Sequence, residues 1–574
     1  YFDFCPYIFR DIFTKSSFIK IMLKIFKFSL LFTLSLNLFA NSISTDFMQK
    51  DFKITYEWLA EKPKSSAKDF FILQYLQDEE LSYENAKKAY DMRNGRNALL
   101  DKAFKQKFNE KISPEDRFCY NASILELKNS DSRCIALGLA SLKKASDLSK
   151  EDLAFFISKL DIYPTLKNNL ILISSNDIYK KLINGSTDKF LEIFFEVSDA
   201  YRYKYLNQSI NPTFLHKIAM HKDFEKFLRT VVYDKKLKNI QKSLDNLKTE
   251  KMLTTNLQFL LGINAVNHRK LESAKQFFQN SYDIALLRGD KDRAIFWLYL
   301  LSKNTLYLEE LAKSFEANIY SLYAKELLNI TPDNLVFKID MQIKPSSYDI
   351  YDAFSWLEVT EDSKKSLDDA KMEKYSNLFT QKSMEPHLAF ILERYNRFRN
   401  QYFITPYEDL LKNYGIYKKV LIYSIAKQES RFIPSSISFS SAMGIMQIMP
   451  FLSKDIASKL GDNYNIYDQF LPEKNIQYAS FHLDSLIKQF DSNPLFIAYA
   501  YNGGAGYARS QLQKGLFKDK SEFEPFLSME MISYNETKKK KKKVLANFYI
   551  YNNYLNSENK ISLSSIFQNL VWHH

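Results

Sequence analysis

Residues that interrupt helices are scarce through most of this sequence. The chain of 574 residues contains 12 glycines and 14 prolines, but few of either fall between residues 41 and 400. Long stretches there carry neither, which favours helices over a turn-rich β domain. Because a chain of this length is too long for a single hydrophobic core, we expect an all-α protein of several domains.

Motifs for metal and nucleotide chemistry are also missing. The 7 histidines form no HExxH pattern and there is no P-loop, so we expect no metal and no other cofactor. Negative charge is in deficit, and the formal net charge of +13 implies an acidic partner. Nucleic acid and the stem-peptide carboxylates of a cell-wall polymer both meet that requirement, and charge does not choose between them.

The first 40 residues contain a pattern typical of a secretory signal. A positively charged stretch begins at Met22, an apolar run extends from Phe28 to Phe39, and Ala40 offers a cleavage point. The run of about 12 residues is too short for a stable membrane span, and no cysteine follows it to carry a lipid anchor. We therefore expect a signal peptide at 22–40, a non-native upstream segment at 1–21, and export to the periplasm of a Gram-negative-type cell.

Cysteine is rare, and only Cys119 and Cys134 follow the predicted signal. An even pair in a chain that enters an oxidising compartment is a disulfide candidate. The alternative is two buried thiols on neighbouring helices.

From residue 41 to residue 303 the sequence repeats short amphipathic helices with few residues between them. In one example, helices are predicted at 256–267, 271–287 and 290–302, with an apolar stripe from Leu271 to Leu286 and a C-cap at Gly289. This pattern is typical of an α-solenoid and resembles tetratricopeptide pairs. Between 304 and 403 it is less regular, which predicts a helical linker domain.

One glutamate is a candidate for chemistry. Glu429 follows Ile422 and Ile425 at helical spacing, on one face of a helix that we expect Pro434 to end. A carboxyl shielded from water by apolar neighbours keeps its proton more readily, so it can exchange a proton near neutral pH. The alternative is a helix glutamate paired with Lys427 or Arg431.

Short motifs after residue 428 follow one another in an order that characterises a family. They are Glu429-Ser430, GIMQIMP from Gly444 to Pro450, AYNGG from Ala500 to Gly504, and the segment from Glu530 to Thr537. Together they resemble the catalytic domain of the soluble lytic murein transglycosylases. The resemblance implies an N-terminal α-superhelix, a lysozyme-like, goose-type catalytic domain at 404–560 and a tail at 561–574.

The resemblance also implies a reaction and a set of site residues. Glu429 would protonate the glycosidic oxygen of the MurNAc-GlcNAc β-1,4 bond of peptidoglycan, and the muramyl 6-hydroxyl would then attack to leave a 1,6-anhydromuramyl end. Most glycosidases need a second carboxylate, which this reaction does not. The substrate-binding residues would be Ser430, Ser438, Met446, Gln447, Tyr501, Asn502, Tyr534 and Glu536.

The sequence departs from the family most clearly at six consecutive lysines. Lys538 to Lys543 stand where the family has an arginine and an aromatic-containing stretch. We expect a solvated basic run whose like charges fray that helical turn. Ser441, where the family usually has glycine, should alter its turn only modestly.

Two other functions fit the same sequence. A lysozyme-type hydrolase would use water and leave reducing ends, and a non-catalytic periplasmic scaffold would only bind through its helical arc. We expect peptidoglycan glycan strands and other cell-wall enzymes as partners of a monomer, with no nucleic acid and no stable membrane anchor. Every motif lies after residue 420. We therefore expect the helical arc predicted at 41–303 to contact the peptidoglycan polymer rather than to supply the site.

Overall fold

The structure is a computed structural model that describes residues 46–48, 52–108, 113–247, 253–518, 521–532 and 535–571, with only the backbone of 535–540. The predicted upstream segment and signal peptide and Tyr534 lie outside these ranges. Within them, the sheet content is two short parallel strands, Leu335–Val336 and Gln401–Tyr402. The all-α prediction is confirmed. No helix in these ranges has both the length and the apolar character needed to cross a bilayer.

The first described helices form a small group before residue 109. Ser65 caps one of them by accepting a hydrogen bond from the Lys68 backbone N–H, which is a favoured way to satisfy a helix start. The group consists of a 3₁₀ turn at Asp46–Met48 and α-helices at Tyr56–Glu61, Ser66–Tyr75, Tyr83–Asp91 and Ala98–Phe108.

The helices from residue 114 to residue 327 form what we call the helical array. Each packs mainly on helices one to three places away in the sequence, as in a solenoid. They are Pro114–Asn121, Ile124–Lys128, Ser132–Gly138, Leu142–Ala145, Lys150–Ser158, Pro164–Ser174, Ile178–Ile183, Thr187–Glu196, Asp199–Tyr201, the π-helical Arg202–Leu206, Pro212–Ala219, Phe224–Tyr233, Lys238–Leu244, Thr255–Asn267, Leu271–Ile284, Arg288–Ser302, Thr305–Ala312 and Ile319–Leu327.

The array differs from the predicted pattern at one connection. The middle helix of the predicted example ends at Ile284, and Leu286 in the following loop is 97% exposed, so the apolar stripe stops earlier than predicted. Gly289 lies inside the first turn of the next helix and is not a C-cap.

Elsewhere in the array, a disulfide joins Cys119 to Cys134, with Cα atoms 5.0 Å apart.

The remaining helices include two that carry the site. We call Ile416–Glu429 the Glu429 helix and Asn535–Leu555 the lysine helix, and they pack closely against each other. The others are Ala353–Lys364, Asp369–Leu378, the 3₁₀ turn Lys382–Met384, Glu385–Tyr395, Glu408–Leu411, Pro450–Leu460, the 3₁₀ helix Ile466–Phe470, Pro472–Gln489, Pro494–Gly503, Ala505–Gln513, Phe526–Met531 and Leu563–Gln568.

The first group of helices packs on residues that come much later in the chain. The Phe47 ring lies 5.2 Å from that of Phe470, and the Phe71 ring lies 5.7 Å from that of Phe354. These residues share one buried cluster with Met443, which lies in the GIMQIMP region. Residues 47–108 and residues 353–470 therefore complete a single core.

Candidate functional site

The middle of the Glu429 helix is buried. Residues 420–426 are all buried, and the helix ends at Glu429, whose side chain is 7% exposed. The predicted end at Pro434 is wrong, because Arg431 and Phe432 take φ values of +56° and +66° that no right-handed helix can accommodate. The carboxyl thus lies at the last position of a rigid buried helix.

The loop between this helix and Pro450 contains several left-handed residues. Gly444 has a φ of +74°, and a Cβ there would fall on the Gln469 carbonyl oxygen and the Asn475 side chain. Ser441 has a φ of +64°, a conformation that costs a non-glycine residue about 1–2 kcal/mol. Glycine is therefore obligatory at Gly444, and its absence at Ser441 carries a moderate cost.

A buried asparagine from another helix holds the loop in place. Asn475 is fully buried, accepts a hydrogen bond from the Met446 backbone N–H at 2.7 Å and donates to the Met443 carbonyl at 3.1 Å. No sequence motif marks Asn475, and its helical spacing is that of an ordinary core position. Sequence reasoning missed it for this reason.

Two predicted site residues fasten the helix end to the loop. The Ser430 hydroxyl donates to the Ile445 carbonyl at 2.6 Å, and the Tyr501 hydroxyl donates to the Met446 carbonyl at 2.8 Å. Burial, and after it the negative charge of Glu429, raise the pKa of Tyr501 well above its usual value. Tyr501 is therefore a neutral hydrogen-bond donor beside the carboxyl.

Glu429 lines a cavity of about 680 Å³, large enough for a sugar-sized ligand. Of the predicted site residues, the structure brings six to this cavity: Glu429, Ser430, Ser438, Gln447, Tyr501 and Asn502. Met446 is buried and is not among the residues that line the cavity, but its backbone carbonyl accepts the hydrogen bond from Tyr501. Tyr534 and the side chain of Glu536 lie outside the described residues.

Part of the cavity lining comes from residues before 403. Trp356 and Thr360 on the helix Ala353–Lys364, Phe390 on the helix Glu385–Tyr395, and Ser65 and Ser66 all line it. Ser65 and Ser66 lie within 41–303, the predicted arc, so the expectation that the arc does not supply the site is wrong for this part of the lining. No motif marks these residues in the sequence, because their role depends on how distant helices pack.

The alternative in which Glu429 pairs with Lys427 or Arg431 is also wrong. Both cations bind Glu393, with Lys427 Nζ at 3.2 Å from its Oε1. Burial lowers the pKa of Lys427 to about 7. Glu393 belongs to the helix Glu385–Tyr395, so this cluster joins that helix to the end of the Glu429 helix.

The expectation of a frayed, solvated lysine run is wrong for Lys541 and Lys542. The helix is continuous from Asn535 to Leu555, and Lys541 and Lys542 are buried. Lys541 Nζ lies 2.8 Å from Glu429 Oε1, and Lys542 Nζ lies 2.7 Å from Glu530 Oε1. The charges of Lys541 and Lys542 are thus each offset by a buried carboxylate. Lys543 is exposed.

Comparison with known proteins finds similarity over the region that carries Glu429. Residues 409–524 match the family model described as the transglycosylase SLT domain. The soluble lytic murein transglycosylase of Escherichia coli K12 is 32% identical over 149 residues, which cover 25% of this chain and 22% of that protein. The protein of the same name from Salmonella typhimurium is 29% identical over 171 residues, covering 29% and 26%. The chain thus spans well under half the length of the curated relatives that it matches.

Solved structures show similarity over a longer stretch. The 70 kDa soluble lytic transglycosylase of Escherichia coli aligns with 90% of this chain and 85% of its own, at a TM-score of 0.44 and 16% identity. An inactive variant of the lytic transglycosylase Slt from Pseudomonas aeruginosa aligns with 87% and 83%, at 0.43 and 15%. The part of the chain that carries Glu429, Gln447 and Tyr501, residues 409–524, is thus the part that resembles the transglycosylase SLT domain.

Proposed function

We propose that this protein is a lytic transglycosylase that cleaves the MurNAc-GlcNAc β-1,4 bond of peptidoglycan and leaves 1,6-anhydromuramyl ends. One observation carries the proposal. Among the described residues that line the cavity, Glu429 is the single carboxylate. Enzymes that hydrolyse glycosides with two carboxylates place them about 5–9.5 Å apart across the bond, and the described lining offers no such pair.

A single acid is sufficient when the substrate supplies its own nucleophiles. Protonated Glu429 gives its proton to the glycosidic oxygen as the bond from that oxygen to the anomeric carbon breaks, and the N-acetyl group assists at that carbon. The muramyl 6-hydroxyl then forms the new bond to the anomeric carbon and returns its proton to Glu429, so no water is consumed. Intramolecular attack of this kind can reach effective molarities of about 10⁵–10⁸ M.

The lining residues have defined hydrogen-bonding capacity for the sugar. Both N–H groups of the Gln447 amide are engaged, with the Ser436 and Gly444 carbonyls at 2.9 Å each. Gln447 would therefore contact the substrate through its amide oxygen, as an acceptor from a hydroxyl or an acetamido N–H. Asn502 is exposed at the cavity and carries both a donor and an acceptor.

We infer that the protein acts in the periplasm. Peptidoglycan lies outside the cytoplasm, and the Cys119–Cys134 disulfide is of a kind that persists in oxidising compartments. The proposed signal peptide at 22–40 would supply the route.

Product analysis of digested sacculi tests the proposed reaction. We expect the wild-type protein to release muropeptides with 1,6-anhydro ends, as detected by mass spectrometry, and Glu429→Gln to lose at least about 10²-fold in rate, because the amide cannot donate the proton. Asp455→Asn is the matched control, since this carboxylate of the same region is 54% exposed and pairs with Lys459.

Each other outcome points to a different conclusion. Reducing ends in the products would identify a lysozyme-type hydrolase, and absence of turnover by folded wild-type protein would favour a non-catalytic scaffold. Near-wild-type turnover by Glu429→Gln would show that another group is the acid.

A further inference from the structure

The ion pair between Glu429 and Lys541 is the feature of the site that the proposed reaction leaves unexplained. The two side chains are 7% and 1% exposed, and Lys541 Nζ lies 2.8 Å from Glu429 Oε1. The two residues are 112 positions apart in the sequence, and the helices that carry them pack against each other. A buried lysine has thus been placed directly on the carboxyl that is proposed to give a proton to the substrate.

The lysine helix holds this contact in register. Lys542, the next residue, donates to Glu530 Oε1 at 2.7 Å and to the Tyr320 hydroxyl at 2.6 Å, and all three are buried. Tyr320 belongs to the last helix of the array. Because successive residues point in different directions around a helix, two adjacent buried ion pairs fix its rotation as well as its position.

Other charged groups near Glu429 are directed elsewhere. On its own helix end, Lys427 and Arg431 bind Glu393. From the helix Pro494–Gly503 comes Tyr501, which burial and the Glu429 charge keep neutral.

Behind Tyr501, on the helix Pro472–Gln489, lies His482, with ring centroids 5.7 Å apart. Burial lowers the pKa of His482, so this side chain is uncharged near neutral pH. Among the described residues, Lys541 is therefore the cation in hydrogen-bond contact with Glu429.

We propose that Lys541 is a positioning residue for the cleavage reaction, which clamps the Glu429 carboxyl and sets the pH range over which Glu429 works as an acid. The proposal rests on the proposed function. An ammonium in contact with a carboxylate favours the ionised acid, whereas a general acid must carry a proton. Removing the ammonium should therefore extend to higher pH the range over which Glu429 carries its proton.

Two substitutions separate the charge of Lys541 from its hydrogen bond. Lys541→Met removes both, whereas Lys541→Gln removes the charge and keeps an N–H donor. We expect both variants to shift the alkaline limb of the kcat/KM profile to higher pH by about one to three units, the usual effect of removing one adjacent opposite charge. Only Lys541→Met should also lower kcat on the acid plateau, because only it frees the carboxyl to rotate. Lys543→Met removes the same charge from an exposed neighbour and should leave both quantities unchanged.

A second readout judges the proposal without turnover. The carboxyl ¹³C resonance of Glu429 can be followed against pH in the substrate-free wild type and in the three variants, with circular dichroism to establish folding. Titration of Glu429 at a higher pH in Lys541→Met or Lys541→Gln than in Lys543→Met supports the proposal. Coincident titrations in all folded variants would overturn it, even if sacculi are cleaved. Conversely, a shifted titration in a protein that releases no anhydro product would refute the proposed function and leave the role of the pair intact.

Discussion

Helices of the array pack on their neighbours in the sequence, whereas the cavity is built from residues as distant as Ser66, Trp356, Glu429 and Tyr501. In the array, apolar stripes carry most of the packing, and a polar group such as Asn264 serves only a local connection. In the cavity, backbone carbonyls and N–H groups of an irregular loop are satisfied by side chains from other helices. The array tolerates local change, because each helix depends on few partners, but the loop depends on several distant residues at once.

The largest test of this contrast compares two glycines with nearly the same backbone conformation. Gly444 and Gly461 have φ values of +74° and +72°, but a Cβ at Gly461 would meet open space. We expect Gly461→Ala to cost about 1 kcal/mol from the left-handed strain alone. Gly444→Ala should cost about 4 kcal/mol, because a Cβ there also overlaps the Gln469 backbone. Urea unfolding measures the loss of unfolding free energy in each variant. Equal losses would mean that the loop around Gly444 can shift to make room for the added Cβ.

The next test compares two buried asparagines. Asn475 holds the Met443–Met446 segment, and Asn264 donates to the Gln241 carbonyl within the array at 3.0 Å. Replacing either by alanine leaves buried backbone groups unpaired, so we expect each variant to lose about 2–3 kcal/mol of stability.

Activity on sacculi should distinguish the two asparagine variants. Asn475→Ala should lose at least about tenfold in kcat, because the loop that lines the cavity loosens, while folded Asn264→Ala should stay near wild type. A comparable loss of kcat in both would show that the array and the loop are coupled more tightly than their contacts indicate.

These two regions also mark what the sequence could predict. Helical spacing predicted the array and placed Glu429 on a buried face, since a period of 3.6 residues is visible locally. The family resemblance named six residues that the structure brings to one cavity. Asn475, Trp356 and the Glu393 cluster could not be predicted, because each acts through a partner far away in the sequence. The lysine run was misjudged because consecutive lysines are normally solvated, and nothing local shows that Glu429 and Glu530 face them.

The smallest expected effect concerns pH and the wall of the cavity. His387 is fully buried, packs against Trp356 with ring centroids 5.1 Å apart, and has no hydrogen-bond partner among the described residues on either ring nitrogen. Burial lowers its pKa from 6.5 to about 3. The folded state therefore resists protonation, and its stability is complete above pH 6.5 and falls as the pH drops toward 3.

Between pH 7 and pH 5, this one histidine should cost the wild type about 2 kcal/mol of unfolding free energy. We expect His387→Phe to remove that dependence, as measured by urea unfolding at several pH values. His268 in the array is 13% exposed, and burial also lowers its pKa, so His268→Phe should have a weaker effect in the same direction. An unchanged pH dependence in His387→Phe would assign the acid sensitivity to other groups.

The cluster that joins residues 47–108 to residues 353–470 has a consequence for the order in which the protein is made. Tyr467 and Phe470 leave the ribosome about 400 residues after Phe71 and Phe47, which pack on them. At 5–20 residues per second this delay is about 20–80 seconds. Until then the first helices carry an aromatic surface with nothing to cover it. A protein whose core joins residues so far apart in the sequence must keep the earlier ones from aggregating until the later ones are made. A chain that is exported before it folds would meet that requirement, because no contact forms until both segments have arrived.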